Sequence, residues 1–131
     1  MILLDTHVLL WLAIEPKRLS KGAAQSIRRA VPAGGLGVAS ITLLEVAALF
    51  ARGRVRSAGT VLQAVSELLD ATGVQVCEIT PEIAAAAAQF GPGVPADPAD
   101  RLIIATALER SASLVTRDER IRDSGACRTV W

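Results

Sequence analysis

Aromatic side chains make up only 3% of this 131-residue chain, which leaves base stacking, the usual grip on single-stranded RNA, little to work with. Cysteine occurs twice, at Cys77 and Cys127. Two such residues give no disulfide framework in a chain without an export signal, so both read as reduced thiols of the core. Lysine is confined to Lys17 and Lys21, and histidine to His7. No charge of one sign dominates: 14 basic against 13 acidic residues leave a net charge of +1, so any nucleic-acid contact must come from a local patch rather than a global field. No apolar run approaches the roughly 18 residues of a membrane helix. The N-terminus reaches Asp5 with no basic segment ahead of an apolar one, which excludes the pattern of a signal peptide and points to the cytoplasm.

What the chain does have is aliphatic bulk. Hydrophobic residues are 51% of the sequence, and mean hydropathy is +0.41, carried by Ala, Val, Leu and Ile. A single domain over 1–131 of this size buries roughly two-thirds of the surface of its unfolded chain. Ile2-Leu3-Leu4 is an apolar run without alternation, as expected of a parallel strand covered on both faces. Helices follow over 6–14 and, capped by Ser20, over 20–30. Leu36 to Ala39 reads as a strand, and the helix after it carries an apolar stripe of Leu44, Ala47, Ala48 and Ala51. A helix from Ser57 to Thr72 stops at Gly73, and a strand covers Val74 to Ile79. Pro81 opens a helix to Phe90, a turn-rich loop covers 91–96, and Asp97 starts a helix to about Ser111. Strands at 113–116 and 128–131 flank a short helix from Asp118. Strands alternating with helices predict an α/β fold, a three-layer α/β/α sandwich around a parallel sheet of four to five strands.

This order puts five acids near one sheet edge: Asp5 after the first strand, Glu45 after the second, Asp97 and Asp100 at a helix start, and Asp118 after Leu114-Val115-Thr116. Each has a capping explanation. Asp5 fits the N-cap of the first helix. Thr42 with Glu45, and Thr116 with Glu119, fit capping boxes. Asp97-Pro98 fits an N-cap followed by Pro at N1, with Asp100 reaching back. Capping does not explain why so many anions share one edge, where each raises the pKa of the others, with neither lysine nor histidine in numbers to neutralise them. Oxygen ligands without Cys or His suit Mg²⁺, or Mn²⁺ in its place, rather than Zn²⁺. Such an ion suits phosphodiester hydrolysis.

Taken together, Leu4-Asp5-Thr6-His7, Ser40-x4-Glu45, the run Asp97-Pro98-x-Asp100-Arg101 through Ala107, and Leu114-Val115-Thr116-Arg117-Asp118 resemble a PIN-domain ribonuclease of the VapC toxin type. The resemblance spans essentially the whole chain and implies a magnesium-dependent endoribonuclease inhibited by a small VapB-like antitoxin. It maps the family's acidic quartet onto Asp5, Glu45, Asp100 and Asp118 as catalytic and metal-holding residues, with Asp97 as an additional acid.

Around these, Thr6 and Thr116 are placed to orient carboxylates through their hydroxyls. Arg101, Arg117 and Arg120 lie near the acids, where any could position RNA phosphates, a contact that does not read sequence, and Arg101 and Arg117 are the ones expected to do so. Arg52, Arg54 and Arg56 read as a solvated surface, Trp11 as core, and His7 as structural or at the substrate's edge. The apolar helices near 41–50 and 61–69 exceed one chain's needs, predicting a homodimer with an antitoxin helix in a groove. Two other classes compete: a PIN-like domain that binds RNA or protein without catalysis, and a magnesium-binding receiver-like signalling domain. The latter needs a lysine near the last strands, and neither Lys17 nor Lys21 lies there.

Overall fold

In the computed structural model, which describes residues 1–131, five strands form one sheet: β1 (Ile2–Leu4), β2 (Leu36–Ala39), β3 (Gln75–Cys77), β4 (Leu114–Val115) and β5 (Thr129–Val130). All pairings are parallel and the order is β3-β2-β1-β4-β5. Seven helices accompany them: α1 (Thr6–Ile14), α2 (Lys21–Ala30), α3 (Ile41–Ala51), α4 (Val61–Thr72), α5 (Pro81–Gln89), α6 (Pro98–Glu109) and α7 (Glu119–Ser124). The expected α/β/α sandwich is therefore present, with five strands.

Adjacent strand residues feed opposite layers, which is why the three inner strands, β1, β2 and β4, read as apolar runs without a polar residue. Leu4, Val38 and Val115 join Val8, Leu9 and Ile27 of α1 and α2 in one core, while Leu3, Ala39 and Leu114 join Ile103, Ile104 and Ile121 of α6 and α7 in the other. Leu3 and Leu4 have no exposed surface, and burying each such side chain is worth about 1.5–3 kcal/mol. From β1 the chain winds outward through β2 to β3, then returns to β4 on the other side of β1. The β1/β4 boundary is thus the point where winding reverses, and the carboxyl ends of those strands border the crevice in which open α/β sheets bind ligands. Leu3 pairs Leu114 and Leu4 pairs Val115. The next residues on each strand, Asp5 and Thr116, therefore face each other at that crevice.

Several local expectations change. The helix predicted from Ser57 starts at Val61, because Thr60 and Gln63 form a reciprocal capping box that fixes the start. An additional 3₁₀ turn covers Pro16–Arg18. The proposed box of Thr42 and Glu45 does not form, since α3 begins at Ile41 and Ser40 caps without its side chain. Nor does the apolar stripe of α3 face the core: Thr42 and Val46 are buried, whereas Leu44 is 66% exposed. That helix is apolar nearly all round apart from Glu45, so periodicity does not identify its inner face.

Candidate active site

Asp5 occupies the junction of β1 and α1. Its Oδ1 accepts the Thr6 N–H at 2.8 Å, and its Oδ2 accepts the Thr116 hydroxyl at 2.6 Å. Thr116 is fully buried, and its Oγ1 also accepts the Asp118 N–H at 3.0 Å. One hydroxyl thereby ties the end of β1 to the turn after β4. On the other side, the Thr6 hydroxyl donates to Glu45 Oε1 at 2.6 Å and lies 3.0 Å from the hydroxyl of buried Thr42. Thr42, read from sequence as a cap, instead backs the Thr6–Glu45 bond. The signal available in the sequence is the three-residue spacing of Thr42 and Glu45, which sets both on one face of α3.

Asp100 and Asp118 form the second half. Asp118 caps α7 by accepting the Arg120 N–H at 2.9 Å, and its other oxygen meets the Arg120 guanidinium at 2.9 Å. The same guanidinium lies 3.4 Å from Asp100 Oδ2. The edge expected to lack a neutralising cation therefore has one, an arginine that reaches back from the first turn of α7. Its hydrogen bonds hold the Asp118 carboxyl below its ordinary pKa. Asp100 gains less: burial, then the charges of Asp97, Asp118 and Asp5, push it up to about 6, against the opposing pull of Arg120. These influences place Asp5, Asp97, Asp100 and Asp118 in one electrostatic neighbourhood, with Glu45 joined to it through Thr6.

The remaining predicted residues separate. Asp97 is exposed and accepts the Ala99 N–H at 2.8 Å as the N-cap of α6. Arg101 takes a different role from the expected RNA contact: its Nε donates to the Pro95 carbonyl at 2.8 Å, Nη1 to Phe90 at 2.8 Å, and Nη2 to Gly91 and Val94 at 3.3 and 3.4 Å. The guanidinium is committed to securing the loop ahead of α6. Arg117 remains exposed beside Asp5 and Asp118, lining a cavity of about 320 Å³ with His7 and Trp11. Trp11, expected in the core, is only half-buried and stands on that cavity's wall. Cys77 and Cys127 are unpaired.

A PIN domain model matches residues 2–125. The chain is 43% identical over 132 aligned positions to Ribonuclease VapC22 of Mycobacterium tuberculosis (strain ATCC 25618 / H37Rv), covering 99% of this chain and 98% of that protein. The chain belongs to the PIN domain family. The PIN fold is shared with VapBC2 from Rickettsia felis bound to a promoter DNA fragment (TM-score 0.72, 13% identity, 98% of this chain and 97% of that one). It is also shared with a toxin–antitoxin complex from Klebsiella pneumoniae (TM-score 0.63, 21% identity, 90% and 87%).

In this PIN domain the donor set at the crevice is all carboxylate and hydroxyl oxygen, the chemistry that Mg²⁺ and Mn²⁺ prefer. As the side chains stand, no three acidic, histidine or cysteine residues converge on a common coordination point. Arg120, 69% exposed, lies across two of the acids. The donors fit a hard divalent ion in kind, and the raised pKa of Asp100 marks a place where added positive charge is favourable.

Proposed function

We propose that this PIN-domain chain is a magnesium-dependent endoribonuclease toxin, with Mn²⁺ as a possible substitute. In this reading it cleaves RNA phosphodiester bonds in the cytoplasm as a homodimer and is neutralised by a VapB-like antitoxin. The reading is carried by the arrangement of Asp5, Glu45, Asp100 and Asp118 around the carboxyl ends of β1 and β4, in a chain 43% identical to a protein named a ribonuclease.

A divalent ion bound there supplies charge stabilisation at the phosphate and lowers the pKa of attacking water. The chain's own residues prepare the place. Thr116 and the Thr6 amide fix both oxygens of Asp5, making it the most rigidly aimed ligand. Thr6 aims Glu45. Asp100 and Asp118 complete the anionic set when Arg120 moves aside, and Asp97, occupied as a helix cap, is the least suited of the acids. Arg117 is placed to hold a phosphate of the strand. On α3 and α4, Leu44 and Leu62 are 66% and 75% exposed, which supplies apolar surface for a second copy or an antitoxin helix. No helix is long and apolar enough to cross a membrane.

The test is cleavage of single-stranded RNA by purified chain with Mg²⁺ and with excess chelator. Undiminished cleavage in chelator defeats the mechanism, and size exclusion with light scattering that shows only monomer removes the dimer. The Arg120 bridge gives one observation to a competing reading, a PIN-like domain that binds RNA or protein without catalysis. Absence of any cleavage with Mg²⁺ or Mn²⁺ would favour it.

A further inference from the structure

His7 and Trp11 lie one turn apart on α1, with ring centroids 6.0 Å apart. Between them they separate two cavities of opposite character. On one side is the cavity of about 320 Å³ bounded by Asp5, Asp118 and Glu119, with Arg117 as its single cation. On the other is a cavity of about 420 Å³ in which Arg18, Arg54 and Arg56 outnumber Glu15. Both aromatic residues line both cavities. Trp11 is flanked on that wall: the Arg18 guanidinium sits 4.6 Å from its ring centroid, Arg117 5.9 Å, and the Trp131 ring 5.8 Å. His7 is exposed at the crest.

We propose that this ridge is the subsite for the nucleotide adjacent to the scissile phosphate of a single-stranded RNA, its base laid against His7 and Trp11 and its outer phosphate held by Arg18, Arg54 and Arg56. The inference rests on the ribonuclease reading above and extends it from chemistry to substrate placement. A strand carrying one anion per nucleotide needs counter-charge at each phosphate but tolerates acids only where an ion is held. The basic cavity supplies the first on one side of the ridge, and the carboxylates supply the second on the other. Stacking is sequence-tolerant because every base offers a π-face, and Arg–aromatic contact adds to it. Scarcity of aromatics does not count against the subsite, because Trp11, one of the few aromatic rings present, and the only histidine stand beside the acids.

The subsite needs no metal, so it is tested apart from catalysis. Anisotropy of a fluorescein-labelled, short mixed-sequence single-stranded RNA is measured with the full chain in excess chelator. His7→Ala is expected to weaken binding about tenfold. Trp11→Phe, which keeps a ring, should bind more tightly than Trp11→Ala, with circular dichroism checking the fold of each. The paired Arg54→Ala, Arg56→Ala variant should lower the salt dependence by roughly one phosphate contact in all. An abasic RNA of the same length should bind wild-type chain about tenfold more weakly yet lose little further with His7→Ala. The proposal is overturned if wild-type chain does not bind RNA in chelator, or if His7→Ala and the arginine pair bind RNA as wild type does. Magnesium-dependent cleavage alongside any of these results leaves the ribonuclease reading standing, whereas absence of cleavage removes that reading.

Discussion

The acids of this PIN domain are held in two contrasting ways. Around Asp5 and Glu45 the partners are neutral and buried: the hydroxyls of Thr6, Thr42 and Thr116, all 2% exposed or less. Around Asp100 and Asp118 the partner is one cation on the surface, Arg120. A buried neutral donor aims a carboxylate without cancelling its charge, and leaving either partner unpaired there is costly. An exposed arginine cancels charge but is cheaply displaced, since surface ion pairs contribute little. One half of the site is therefore built by the fold, and the other is adjustable.

If that contrast is right, the largest effect lies in the fixed half. Asp5→Asn should lower RNA cleavage by on the order of 10²–10³-fold, the scale of losing one preorganised electrostatic group, while circular dichroism and a cooperative melt report an intact fold. A variant that cuts at near wild-type rate would remove Asp5 from the chemistry. Next comes Thr116→Val, which leaves Asp5 Oδ2 without its hydroxyl donor and the Asp118 N–H without its acceptor. Denaturant unfolding should show a loss of about 1–3 kcal/mol, accompanied by slower cleavage. A stability loss with unchanged cleavage would make Thr116 purely structural.

How far the sequence discloses this arrangement follows the same division. The strand at Ile2–Leu4, the acid after it and the N-caps at Ser20 and Asp97 are legible because burial on two faces and capping leave local signatures. The sequence places the start of α4 too early because Ser57, three residues ahead of the Thr60–Gln63 box, reads equally well as helix entry. Arg120 is legible as an arginine near the acids, but not its bridge to Asp100, because that depends on a three-dimensional return across α7 which a position two residues after Asp118 does not disclose. Arg101 shows the converse: adjacency to Asp100 suggested the rim, but its fork fits four carbonyls of the preceding loop.

The adjustable half gives smaller effects. Arg120→Ala should leave the melting temperature in chelator nearly unchanged and tighten Mn²⁺ binding, followed by titration calorimetry, by about fivefold at most, the range of an exposed pair. Weaker Mn²⁺ binding would mean that the arginine helps arrange the acids rather than occupying them.

The smallest effect is a pH slope. Asp100 has a folded pKa of about 6 against the ordinary 3.8, so between these values the folded chain holds more proton than the unfolded one. Stability in chelator is then highest, as far as this group is concerned, below about pH 4 and declines as pH rises through 6. Asp118 has the opposite sign: its lowered pKa gives stability that is present above the ordinary value and lost as pH falls through the folded one. Asp100→Asn should therefore abolish the decline between about pH 4 and 6 and leave the acid limb intact. Saturating Mg²⁺ should flatten the same decline in the wild-type chain, because a cation beside Asp100 favours its ionised form. Flattening by the substitution but not by the ion would place the ion away from Asp100 and confine it to the threonine-held half around Asp5.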